Sequence, residues 1–89
     1  MKQRLVDLGG LRLNVHEWPG EGHPFVLLHG LASNAQTWTA VADQLSTAGH
    51  RVFTVDQRGH GLSDKPATGY DFATVTADLA RLLDVLGVD

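Results

Sequence analysis

Eighty-nine residues with a net charge of −3, 43% hydrophobic and 19% charged, describe a single domain of ordinary globular composition. A domain of this length buries only about 60–65% of its unfolded surface, so its core is small. The seven basic residues are scattered and never interleaved with aromatics, which argues against a nucleic-acid binder.

Cysteine is absent, so disulfides and thiolate metal sites are excluded, and a cytoplasmic setting is the default expectation. Met1-Lys2-Gln3-Arg4-Leu5 is followed by Asp7 and Gly9-Gly10, with no apolar stretch of the kind a secretory signal needs. The longest apolar run, Phe25–Leu28, is far too short to cross a bilayer.

In chain order, Leu5–Leu8 and Leu11–Trp18 around Gly9-Gly10 read as a β-hairpin, because paired glycines supply the positive φ angles of a tight turn. Leu11, Leu13 and Val15 alternate with Arg12, Asn14 and His16, which predicts a second strand wet on one face. Residues 19–24 are a Pro/Gly loop, and Phe25–Leu28 is a strand covered on both faces.

Trp38, Val41, Ala42 and Leu45 fall at helical spacing, with Gly49 as the stop. Val52–Val55 is the fourth strand, and a glycine-rich loop follows from Asp56 to Gly69. Asp71 N-caps a last helix with apolar positions Phe72, Val75, Leu79, Leu82, Leu83 and Leu86, and Gly87 ends it in a left-handed cap. The expected class is α/β, a hairpin followed by β-α-β-α with a right-handed crossover between parallel strands.

Two segments sit at the carboxyl ends of strands, where open α/β sheets place their sites: His29-Gly30-Leu31 and Asp56-Gln57-Arg58-Gly59-His60-Gly61-Leu62-Ser63. With Trp38 and Lys65-Pro66, these segments and their flanking elements resemble the first half of the α/β-hydrolase fold. The likeness covers essentially the whole chain and implies a four-stranded mixed sheet of order 1-2-4-3. It also implies that the Leu31 backbone N–H is one donor of the oxyanion hole. Gly30 would permit the loop's sharp turn, and His29 would brace neighbouring loops.

The family's nucleophile lies in Gly-x-Ser-x-Gly after a fifth strand, with its acid and histidine further on. No such motif occurs here; Gly61-Leu62-Ser63-Asp64-Lys65 lacks the closing glycine. An improvised relay of Asp56, His60 and Ser63, or one drawing on His29, needs a rigidly presented serine. A glycine-rich loop favours loop-bracing hydrogen bonds for these residues instead. His16, His23, His29, His50 and His60 show no metal-ligand spacing, and Gly59-His60-Gly61 lacks a P-loop ending, so neither a metal nor a cofactor is expected.

Without a fifth strand, the third strand is an edge, and Phe25-Val26-Leu27-Leu28 offers unpaired backbone on an apolar strand. The expected partner is a second copy joined edge to edge, completing the sheet as a homodimer, or a complementing C-terminal hydrolase fragment; neither a membrane nor a nucleic acid is expected. The expected function is that of an N-terminal hydrolase fragment of ester or lactone ancestry, inactive alone and self-associating. The alternative is a very small esterase-like enzyme or a split half.

Overall fold

The computed structural model describes residues 1–29 and 33–88. The elements are β1 (Lys2–Asp7), β2 (Arg12–Trp18), β3 (Gly22–Leu28), a 3₁₀ turn (Ala35–Trp38), α1 (Thr39–Thr47), β4 (His50–Val55) and α2 (Phe72–Leu86). The four strands form one sheet in the order β1-β2-β4-β3. β1 and β4 both run antiparallel to β2, and β3 runs parallel to β4. The expected mixed sheet of order 1-2-4-3 is therefore the one observed.

The hairpin forms because Gly9 and Gly10 take φ of 86° and 101°, while the Asp7 carboxylate accepts from both glycine N–H groups at 2.8 and 3.3 Å. α2 is closed at both ends by its own sequence. Asp71 accepts from Thr74 N–H at 3.0 Å at the start. Gly87 adopts the left-handed conformation at the end, with Val88 N–H donating to Leu83 O and Gly87 N–H to Asp84 O. This six-to-one and five-to-two pair satisfies carbonyls that the helix would otherwise leave bare.

Alternation along the strands divides the core between two faces. On one, Val6, Leu13, Val15, Phe53 and Val55 pack with Leu82 and Leu86 of α2. On the other, Trp18 and Val52 pack with Ala42 of α1, flanked by Phe25, Leu27 and Leu45. Trp18 Nε1–H donates to Asp43 Oδ1 at 2.6 Å and so fixes α1 over this face.

Two readings of the pattern are corrected. β2 has no wet face beyond Arg12: Asn14 and His16 are 2% and 5% exposed. The loop after β4 comes back over them, with Ser63 and Asp64 bonded to β2 backbone. Phe72 does not join the α2 stripe but is 87% exposed. The buried stripe is Asp78, Leu82 and Leu86, in which a charged residue occupies a position the apolar pattern passed over.

Candidate functional site

β3 and β4 are parallel and in register through Leu28 and Val55, so their carboxyl ends deliver His29 and Asp56 side by side. His29 is 5% exposed. Its Nε2 accepts from Gln57 N–H at 2.9 Å, and its carbonyl accepts from Gln57 Nε2 at 2.7 Å. Its ring lies against that of His60, centroids 4.8 Å apart. His60 in turn donates through Nδ1 to Arg58 O at 2.9 Å.

Gly30 and Leu31 lie outside the described residues, but the chain on either side of them is fixed. Beyond them, Ala35 N–H donates to Asp56 Oδ1 at 2.7 Å, and Asn34 Oδ1 caps the 3₁₀ turn by accepting from Gln36 N–H at 2.9 Å. Consecutive residues Asp56 and Gln57 therefore grip the segment at both ends, one through a carboxylate and the other through an amide side chain and a backbone N–H.

Asp56 is 4% exposed, and Oδ2 accepts from Asn14 Nδ2 at 2.9 Å and from Leu62 N–H at 3.1 Å. Burial works against its charge. Hydrogen bonds from Ala35, Asn14 and Leu62 outweigh that and hold the carboxyl below the usual carboxylate range. It is a charged strut at the base of the loop.

Ser63 is 3% exposed. Its hydroxyl donates to the Asp56 carbonyl and accepts from Asn14 N–H at 2.7 Å. A hydroxyl has one proton to give, and here that proton is engaged with main chain. Far from being slack, the glycine-rich loop is braced by Gly59 N–H to Asp64 O and Asp64 N–H to Arg12 O, both 2.9 Å. Structure thus brings Asp56 and Ser63 together as loop supports, and His29 and His60 as neighbouring rings inclined at 54°.

Sequence reasoning missed the residues that carry this bracing. Asn14 was assigned to solvent, and Gln57 passed as a loop residue. Arg58 and Asp78 were not singled out, yet they form a two-pronged pair, Nε to Oδ2 at 2.9 Å and Nη2 to Oδ1 at 3.0 Å. Arg81 adds a bond to Asp78 Oδ1 at 2.9 Å and another to Leu8 O at 3.1 Å. An aspartate four residues before Leu82, on the apolar side of a helix, was the available signal.

A cavity of about 270 Å³ opens beside the strut, lined by Gln3, Asn14, His16, Asn34, Asp56 and Leu62 among others. Among the described residues, no group of three or more His, Asp or Glu is placed to hold a metal ion, and no helix is long and apolar enough to cross a membrane.

A sequence profile described as the alpha/beta hydrolase fold matches residues 23–89. The chain belongs to the α/β-hydrolase fold family. Among similar α/β hydrolases, epoxide hydrolase A of Mycobacterium tuberculosis is 42% identical over 90 residues, covering 98% of this chain and 28% of that protein. A non-heme chloroperoxidase of Streptomyces lividans is 38% identical over 78 residues, covering 86% of this chain and 28% of that one. The crystal structure of a bromoperoxidase from Bacillus anthracis superposes with a TM-score of 0.89 at 33% identity, over 97% of this chain and 32% of the other. This α/β-hydrolase chain thus spans less than a third of the length of the curated relatives named here.

Proposed function

We propose that the chain is the oxyanion-loop part of an α/β hydrolase acting on a carboxylic ester or a similarly small electrophile. In this reading the Leu31 backbone N–H is one donor to the developing oxyanion, and a C-terminal hydrolase segment docked along the open edge of β3 brings the nucleophile, acid and base. The observation that carries the reading is the double grip of Asp56 and Gln57 on the two ends of the loop at the carboxyl end of the parallel pair. An oxyanion donor is effective only if its direction is set before charge develops, and one such donor is worth about 3 kcal/mol of barrier. The relatives named as epoxide hydrolase and chloroperoxidase support a small substrate. The proposed setting is the cytoplasm, which suits a sequence with no thiol to pair.

Reconstitution tests this. The chain is mixed with the separately produced C-terminal remainder of a similar hydrolase, and turnover of p-nitrophenyl acetate is followed. Hydrolysis above free imidazole is expected only in the mixture, and Gln57→Ala is expected to lower its kcat while leaving assembly intact. A complex that forms but shows no turnover refutes the reading, as does turnover indifferent to Gln57.

A second reading has a second copy on the same edge. It is favoured by the character of β3, where Phe25, Val26, Leu27 and Leu28 are half-buried, uncharged and at the end of the sheet. Light scattering decides it: a dimer that Val26→Asp dissociates supports self-pairing, and a folded monomer at micromolar concentration refutes it.

A further inference from the structure

β2 and β4 pair directly at Trp18 with Val52 and at His16 with Thr54. Residues directly opposite in an antiparallel ladder point to the same face. Trp18 and Val52 lie under α1, and two residues along each strand His16 and Thr54 share that face. They are 5% and 0% exposed.

The tautomer of His16 follows from its neighbours. Asn14 Nδ2 lies 2.9 Å from Asp56 Oδ2 and 3.3 Å from His16 Nε2. The ionised carboxylate requires the NH₂ end of the amide, and an amide nitrogen only donates. His16 Nε2 therefore accepts, and the ring proton sits on Nδ1. That buried Nδ1 has no hydrogen-bond partner among the described residues, and neither has the buried Thr54 Oγ1 across the ladder. A bare donor thus faces the same space as a bare hydroxyl.

Native proteins very rarely leave such groups unsatisfied, and a water with several polar partners is the usual remedy. The spacing suits one. Directly paired residues hold their Cβ atoms about 4.5–5.5 Å apart, which keeps both polar side chains on neighbouring positions of one face, and one water can bond to two such groups at about 2.8 Å each. We propose that His16 Nδ1–H and Thr54 Oγ1 bind one buried water molecule between the sheet and α1. The water accepts from the imidazole and is shared with the hydroxyl. It extends a hydrogen-bonded line through His16, Asn14 and the Asp56 carboxylate to Ala35 N–H. The site is independent of whether the chain takes part in hydrolysis, and it assigns His16 the task of holding Asn14 against Asp56.

The test uses the whole chain labelled with ¹⁵N. The spectrum is expected to show His16 protonated at Nδ1 only, with a cross-peak from that proton to a long-lived water. Thr54→Val keeps the shape of the side chain and removes the hydroxyl. It is expected to erase the cross-peak and to lower the folding equilibrium constant about tenfold. Removing a hydroxyl that holds nothing would have the opposite sign. Thr54→Val that folds as well as or better than wild type overturns the proposal, and so does a wild-type spectrum with the proton on Nε2 or without the water cross-peak.

Discussion

Replacing Asp56 by Asn exchanges one carboxylate oxygen for an NH₂ group and should remove a large part of the fold's stability. The carboxylate accepts from Ala35 N–H at 2.7 Å, Asn14 Nδ2 at 2.9 Å and Leu62 N–H at 3.1 Å. An amide has one acceptor oxygen. In its better orientation that oxygen serves Asn14 and Leu62, and the NH₂ group is driven against Ala35 N–H. One charge-assisted bond, worth about 1.5–3 kcal/mol, is then lost, and two others fall to neutral strength, about 0.5 kcal/mol less each. The expected loss is about 3 kcal/mol. A chain of 89 residues is stabilised by about 4–13 kcal/mol in all. Urea unfolding followed by the fluorescence of Trp18 and Trp38 should show the midpoint falling by about 3 M for a slope near 1 kcal/mol/M. Asp64→Asn is the control. Asp64 pairs with the exposed Arg12 at 3.1 Å, and such solvent-screened surface pairs contribute little to stability. If Asp56→Asn shifts the midpoint no more than Asp64→Asn does, the strut reading is wrong.

Asp78→Ala leaves Arg58, whose side chain is 12% exposed, without its carboxylate, and should cost about 3–5 kcal/mol in the same assay; a loss under 1 kcal/mol contradicts a structural role for this pair. Gly87→Ala should cost about 1–2 kcal/mol by strain alone, since φ is 71° and nothing lies within 4 Å of the added methyl. Gly59→Ala should cost more, because φ is 79° and its Cβ would stand 2.5 Å from the Tyr70 ring; equal losses would show that Tyr70 simply moves aside. Acid should unfold the chain through Asp56 and Asp78. Burial opposes ionisation of both, but their hydrogen-bonded partners win and hold each below the ordinary carboxylate value. Because the folded value is the lower one, their contribution is complete above about pH 4 and drains as pH falls through the folded values. The urea midpoint should therefore fall as pH drops below about 4, and by less in Asp56→Asn.

Much of the architecture was legible because its signals are local. Gly9-Gly10 dictates a turn whatever surrounds it, Asp71 and Gly87 close α2 by their own chemistry, and the apolar runs at Phe25–Leu28 and Val52–Val55 need cover on both faces. The paired loop motifs after β3 and β4 marked the site's position. They did not reveal its mechanics. Loop-bracing roles for His29, Ser63 and Asp56 could be anticipated, but the direction of each bond could not.

Residues misread from the sequence fail for one reason. Asn14 and His16, placed on a wet face, and Asp78, left out of the helix stripe, are polar, and a polar residue in an alternating or helical pattern is by default assigned to water. Asn14 and Asp78 are instead met by segments distant in the chain, Asn14 by Ser63 and Asp56 and Asp78 by Arg58, and His16 is buried beside Asn14. Burial of a polar group is stable only when a particular partner meets it, and that meeting is decided by how strands and loops converge. Phe72 errs in the opposite sense, an apolar residue left 87% exposed by the direction in which α2 leaves its cap. Periodicity and turn chemistry by themselves determined the element order, and the resemblance of the two loop motifs to those of α/β hydrolases implied the family and the sheet order. Tertiary structure alone decided that Asp56 and Gln57 grip the segment between His29 and Ala35 from both ends, because hydrogen bonds between residues about 20 to 40 positions apart leave no mark on local pattern.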